Sequence, residues 1–435
     1  MFLITKNMNT KKQADDVITI LNQDNQPVMY LFNAGTKGFL LLSASKLEEP
    51  ILAYSTEAAL LLNNIPRDLA IWIDLGVRKI SQLNKTNTYY SPSVYAAWSA
   101  LGINEKVGDY YIGDSNGNPI LIEEDDISYV KIGCPYIDLT TKKGPLLGNI
   151  MWGQGIGYNT FQDSPPSNNP CTNYPLPNNK YYAGCVMVAF GQILKYYNDY
   201  GFLNLQNTPV VNRVMEPTPD NNGTAKILKA IFDITPGQKE RNCNGTGAYI
   251  YNAAKGIKNG FVFAYSSATY IPHMDKIILW NDIVNHNRPV VLAGYSVDTN
   301  QFNKNIALKY TKNNVTYSTN YKISSGHAWV CDGHQEEYQL VKIINHTTGE
   351  VFFDNFFERN FYHMNWGWHN KGNSYSTGNG WYRDDLFTPN YGNNGNNLIT
   401  YPNIVGYDLN GDGTDDGYYY SGYYYYRSMV HNIKP

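Results

Sequence analysis

Charged residues are scarce in this chain of 435 residues: they make up 16% of it, and the formal net charge is only −3. Without clustered lysine and arginine there is no electrostatic footing for nucleic acid. Long hydrophobic runs are missing too. None approaches the roughly 18–20 apolar residues that cross a bilayer, so no membrane span is expected. Cysteines number five, at 134, 171, 185, 243 and 331, with no CxxC pair and no regular spacing. That argues against a disulfide scaffold or a zinc ribbon, and the odd count leaves at least one thiol unpaired. The opening MFLITKNMNTKKQ has too short an apolar stretch for a secretory signal. There is no HExxH, and no repeat with a period of 20–50 residues.

What is present is a chain long enough for two domains, each with its own core. Hydrophobic residues reach 43%, and Tyr (38) and Gly (37) are abundant, which suits loop-rich structure with an aromatic surface. Residues 15–24 (DDVITILNQD) read as a short helix. MYLFNAGTKGFLLLSASKLEEPILAYS reads as two strands joined by a turn at Gly35. IPRDLAIWIDLGVRKISQLN (65–84) has apolar residues at 69, 71, 72, 75, 77 and 80 and a proline in its first turn, the pattern of a helix. NGNPILIEEDDISYVKIG returns to extended structure. The first 130 or so residues thus form a small α+β unit that offers little chemistry. CPYIDLTTKKGPLLGN then reads as an exposed linker open to proteolysis. Beyond it, helices are expected at about 185–199, 247–258 and 274–285, and strands at 288–296, 325–335 and 361–368. Helices first and strands later, without βαβ alternation, predict an α+β fold rather than a parallel sheet.

In YYAGCVMVAFGQILKYYNDYG (181–201) the apolar positions 186, 187, 190, 193, 194 and 197 fall close to one helical stripe, and Cys185 stands in its first turn. Unsatisfied N–H groups and the helix dipole favour an anion there, and the thiolate is the reactive form of cysteine. A small buried residue would occupy the same place for packing alone. His327, at the start of a strand-like segment, supplies a possible base, although a strand histidine is often merely structural. MNWGW adds Asn365, which could orient an imidazole, with Trp366 or Trp368 to shield it. WGQGIGYN adds Gln154, whose amide could donate to an oxyanion. Each piece alone is weak; the order Gln, Cys, His, Asn-Trp is the pattern of a cysteine peptidase.

With these residues in view, the chain resembles the streptopain family of secreted bacterial papain-like cysteine peptidases. GCVMVAFGQILKYYN looks like the family's nucleophile helix, GHAWVCDG like its histidine strand, and HMNWGWHNKGNSYSTGNGWY like the segment that follows. GFLLLSASKLEEPILAYS is similar to its inhibitory pro-segment. Departures fall at Gly157, Ser325 and His369–Asn370. The resemblance implies a papain-like α+β peptidase domain at 145–435, an inhibitory pro-domain at 1–137 and an activation linker at 138–144, cut near Lys142–Lys143. Cys185 would be the nucleophile, His327 the acid/base, Gln154 and the Cys185 N–H the oxyanion donors, and Asn365 with Trp366 the holders of the imidazole. Gly326, Thr246 and Trp368 would line the substrate cleft. The implied activity is a cysteine endopeptidase made as a zymogen, with protein or peptide substrates, its own pro-domain as intramolecular inhibitor and no cofactor. It would be secreted, at the cell surface or periplasmic, its signal segment already removed. The alternatives are a catalytically silent peptide- or glycan-binding protein on the same fold, or a transferase that uses the same acyl-enzyme.

Elsewhere DLNGDGTDDG begins like a calcium loop, with Asp408, Asn410, Asp412 and Asp416 as oxygen donors. Position twelve is Tyr419 rather than glutamate, and a polar turn between strands explains the segment as well. His334, His363 and His369 would have to converge to hold zinc, and no metal site is expected from them. Cys134, Cys171, Cys243 and Cys331 read as structural or free thiols. GYYYSGYYYYRSMV near the end alternates enough to be a strand.

Overall fold

Val290-Val291-Leu292-Ala293 is apolar at every position because both faces of its strand are covered. Val290 and Leu292 join one apolar cluster, Val291 and Ala293 another. The computed structural model describes residues 17–86, 94, 97–98, 110–113, 119–122, 127–130, 141–168, 171, 176–199, 203, 205, 208–213, 222–243, 245–260, 267–272, 274–296, 305–322, 326–345, 351–368, 377–383, 404–407, 417–420 and 425–434.

The N-terminal unit contributes β1 (Ile18–Leu21), β2 (Pro27–Asn33), β3 (Phe39–Ser43), β4 (Ile51–Ser55) and α1 (Arg67–Thr86). Then come β5 (Tyr110–Gly113), β6 (Pro119–Ile122), β7 (Ile127–Val130) and β8 (Thr141–Lys143). The helical layer holds α2 (Cys185–Tyr197), α3 (Gly223–Ile234), the hairpin β9 (Lys239–Asn242) and β10 (Gly245–Ala248), and α4 (Ile250–Gly260). After β11 (Thr269–Ile271), α5 (Lys276–Trp280) runs into a π-helical turn at Asn281–Asn285. The later strands are β12 (Val290–Ser296), β13 (Asn305–Lys312), β14 (Val315–Lys322), β15 (His327–Asn345), β16 (Val351–Asn365), β17 (Gly380–Arg383), β18 (Ile404–Tyr407), β19 (Gly417–Tyr420) and β20 (Tyr425–His431).

Among the described residues, the main antiparallel sheet runs β11-β20-β12-β15-β16-β17-β4-β3-β2-β1-β13-β14, with β7 and β8 also pairing β15. Alternation along β15 shows its two-sided burial. Ala328 and Val330 pack with α2, α3 and α4, whereas Trp329 and Cys331 pack with the core of the N-terminal unit, including Leu69, Trp72 and Ile73 of α1. Each Val, Ile or Leu buried in this way contributes about 1.5–3 kcal/mol, against roughly 0–1 kcal/mol for an exposed ion pair such as Lys85–Asp24. Packing on the two faces therefore positions everything that follows.

The α+β class, the turn at Gly35, the helix over 67–86, and the strands at 290–296, 327–345 and 351–365 agree with the sequence. One expectation is corrected. Residues 18–21, read as part of a helix, form β1: Ile18 and Ile20 point into the core, and the strand lies between β2 and β13. Strands of the N-terminal unit join the main sheet at two places, where β4 pairs with β17 and β1 with β13. Part of the expected linker, Thr141–Lys143, is a strand paired to His334–Glu336 of β15. Helix α3 had no forecast, and neither did the disulfide between Cys171 and Cys243. Cys134 and the Asp408–Asp416 segment lie outside the described residues.

Candidate active site

Glycine opens the nucleophile helix for a geometric reason. Gly184, the N-cap of α2, has φ 96°, and a Cβ there would lie 3.0 Å from the Thr246 carbonyl oxygen and 3.1 Å from the Met187 sulfur. The chain therefore enters the helix pressed against β10, with Cys185 as its first residue, buried at 9% exposure. Every residue from Cys185 to Leu194 is buried, which places the helix centrally rather than leaving it one polar face. Its far end closes on Asn198 in the left-handed conformation.

The Gln154 segment is fastened along this helix at two points. The Ala183 N–H donates to the Gln154 carbonyl (2.9 Å), and the Trp152 N–H donates to the Gln192 side-chain oxygen (2.9 Å). The Trp152 ring presses on Gly191, where a Cβ would lie 2.8 Å from it, and the indole N–H donates to the Val211 carbonyl (2.9 Å). Gln154 is thus carried beside the N-terminus of α2, where a helix presents N–H groups to an anion.

His327 opens β15. Its Nε2 meets the Trp366 carbonyl oxygen at 2.9 Å, its ring stacks on Trp329 with centroids 6.2 Å apart, and the edge of Trp368 lies 6.4 Å away. Because a carbonyl only accepts, Nε2 carries the proton, and Nδ1 is the basic nitrogen of the neutral ring. The turn after β16 brings this histidine to the helix. A Cβ on Gly367, next to Trp366, would lie 2.9 Å from Val188, one turn along from Cys185. The Trp366–Gly367 turn that holds the imidazole thus lies against α2. The imidazole is turned toward Trp329, on the face that also packs the N-terminal unit.

Asn365 has different duties from those expected. Its amide donates to the Ile150 carbonyl (2.9 Å), and its oxygen accepts the Gly367 N–H (3.2 Å). It ties the end of β16 to the loop leading into Gln154, and the backbone of Trp366 takes the imidazole. The Trp366 N–H is itself held by the Asn379 oxygen at 3.0 Å. Thr246 packs behind Gly184, and its buried hydroxyl finds no hydrogen-bond partner among the described residues. Sequence reasoning missed the aromatic ladder behind the histidine. Trp72 of α1 meets Tyr382 (5.0 Å), Tyr382 meets Trp366 (5.6 Å) and Trp366 meets Trp329 (5.1 Å), so rings run from the N-terminal unit to His327. No signal within 65–84 foretold this, since Trp72 belongs equally to the helix stripe.

Of the three histidines considered for zinc, His363 is held between Asp332 and Glu57, and His334 packs against Tyr362; His369 lies outside the described residues. No group of metal-ligating side chains converges, and no helix is long and apolar enough to cross a membrane, among the described residues.

Residues 152–376 match the model of the peptidase C10 family, and residues 2–80 match that of the Spi protease inhibitor. A search of curated proteins finds no match. Among solved structures, the chain is similar to a fragment of prointerpain A from Prevotella intermedia, at 16% identity over 96% of this chain and 99% of that one, with a TM-score of 0.46. It is also similar to the active wild-type interpain A cysteine protease of the same organism, at 16% identity over 69% of this chain and 97% of that one, with a TM-score of 0.38. The C10 match takes in Gln154, Cys185, His327, Asn365 and Trp366 and spans more than half of the sequence. This chain belongs to the peptidase C10 family, the streptopain family of cysteine peptidases, and carries an inhibitor-type pro-segment ahead of its peptidase region.

Proposed function

We propose that this protein is the zymogen of a cysteine endopeptidase in which Cys185 is the nucleophile and His327 the acid/base. One observation carries this reading above the others: the Gln154 segment is hydrogen-bonded to the residues entering α2, so an amide donor and a thiol share one helix N-terminus. The Trp366 carbonyl holds the Nε2 proton of His327, which leaves Nδ1 as the base. Departure of the N-terminal unit opens the site to substrate.

Nδ1 then takes the thiol proton, giving a thiolate–imidazolium pair. The sulfur attacks the substrate carbonyl carbon, and the carbonyl π electrons move onto oxygen. That oxyanion is held by the Gln154 amide and the Cys185 N–H. Collapse expels the amine, which takes its proton from His327 and leaves a thioester. Neutral His327 next removes a proton from water, the hydroxide adds to the thioester, and the carboxylic acid leaves as the thiolate returns. Gly326, Thr246 and Trp368 line the acyl side of the cleft. The pro-domain spans 1–137 and the peptidase 145–435, with cleavage within 138–144. N-terminal sequencing of the processed protein checks this boundary, and a start beyond Gln154 would refute it.

A thiol-directed peptide epoxide tests the activity. Labelling is expected at Cys185 alone, in the processed protein and not in the intact chain. A processed protein that resists the label at every pH, yet still binds peptide, would be the silent binding protein instead. Added amine nucleophiles that divert product from acid to amide would reveal a transferase.

A further inference from the structure

His363 lies near the end of β16, three residues before Trp366, and no step of the proposed reaction uses it. It is 2% exposed, and both ring nitrogens face carboxylates: Nδ1 meets Asp332 Oδ1 at 2.6 Å and Nε2 meets Glu57 Oε1 at 2.8 Å. A neutral imidazole has one N–H, whereas two ionised carboxylates can only accept. The arrangement therefore calls for an imidazolium that donates to both. Asp332 comes from β15, Glu57 from the segment after β4 in the N-terminal unit, and the Trp381 ring of β17 covers the histidine at 5.2 Å.

Asp332 has a further task. Its Oδ2 accepts the Leu147 N–H (2.9 Å) and its carbonyl accepts the Leu146 N–H (2.7 Å). Gly144 allows this close approach, for its φ is 88° and a Cβ would lie 2.7 Å from the Gly333 Cα. The residues that begin the peptidase region are thus seated on the same carboxylate that holds the histidine. Around this centre, Arg383 pairs with Glu48 (2.9 Å) and Arg359 with Glu49 (3.4 Å), each an acid of the N-terminal unit on a cation of β16 or β17.

We propose that His363 is the ionic latch of the zymogen, one buried cation that grips the N-terminal unit through Glu57 and the start of the peptidase region through Asp332. The backbone pairing it guards is short, β4 and β17 meeting at Trp381–Tyr54 and Tyr382–Ala53. The side-chain charges there add to the apolar packing that the N-terminal unit shares with β15 and β17, and they set how readily this edge of the unit opens. The latch is independent of the chemistry at Cys185.

The test uses the full chain with Cys185→Ala, so that nothing is cut. Amide hydrogen exchange is followed at pH 7 over 51–55, 380–383 and α2 for this parent, for Glu57→Gln, for His363→Gln and for the double variant. Each single change is expected to speed exchange across the β4–β17 seam at least tenfold while α2 keeps its protection, and the double variant should be no faster than the faster single. Unchanged exchange in Glu57→Gln, or a double variant whose effects multiply, would overturn the latch. If His363→Gln loses protection in α2 as well, it has unfolded, and Glu57→Gln, which alters only the N-terminal unit, decides alone.

Discussion

From Cys185 to Leu194 ten successive residues are buried, and the only polar side chain among them besides the thiol is Gln192, whose oxygen accepts the Trp152 N–H. Around the seam between β4 and β17 the buried residues include the charged or titratable Glu48, Glu49, His363, Arg359 and Arg383, with Asp332 beneath them, beside the aromatic cluster of Tyr54, Phe361 and Trp381. The helix is buried almost wholly by apolar contact, whereas the seam combines apolar contact with buried charge. An apolar surface cannot be uncovered without losing its burial energy, which holds the helix layer and also the core that the N-terminal unit shares with Trp329 and Cys331. A buried ion pair recovers its hydration when the partners separate, so it contributes little net stability while specifying partner and register.

That contrast can be broken from either side. The largest effect is expected at the thiol: Cys185→Ala should lower peptide hydrolysis by the processed protein about 10⁵- to 10⁶-fold, measured with a fluorogenic peptide. Trp152→Ala, in the helix layer, should cost about 3–5 kcal/mol of stability by denaturant unfolding, because a fully buried ring and its bond to Val211 are lost together. Gln154→Ala should reduce kcat roughly 10²- to 10³-fold with little change in KM, the mark of an interaction made mainly in the transition state.

The smallest effect is expected at the seam, as a response to pH. Burial pushes the His363 pKa down, but the charge and hydrogen bond of Asp332, together with those of Glu57, outweigh it and raise the pKa from an ordinary 6.5 to about 10. A raised histidine gives its full stabilisation below its ordinary pKa and loses it as pH climbs through the raised one. Exchange across β4–β17 should therefore quicken between about pH 7 and 10, after correction for the intrinsic rate, and His363→Gln should abolish that step. An α2 that loosens in parallel would erase the distinction between the two regions.

Much of the helix layer was legible because its signals are local. The stripe from Val186 to Tyr197, the glycine before Cys185 and the strand run at 290–296 each follow from spacing alone. Yet the stripe understated α2, which is buried all round through Leu194 because sheet, α3 and the Trp152 segment surround it. The seam left almost no trace in the sequence. Glu57 and His363 are 306 positions apart, and neither stands out where it occurs. The strand at 18–21 was misread for a related reason: four residues hold too short an alternation, and its partners are Met29–Leu31 and Lys309–Thr311. Asn365 shows the limit at the site itself, since type and spacing suggested an imidazole partner, whereas the fold gives that task to the Trp366 backbone.

The ladder of rings from Trp72 to His327 makes the molecule its own optical reporter. Loss of the N-terminal unit strips Trp72 from Tyr382 and Leu69 from the surroundings of Gly378 and Trp366, so the indoles behind the histidine meet a more polar medium. Conversion of the zymogen should then be visible in real time as a red shift of intrinsic emission, with no dye and no substrate added.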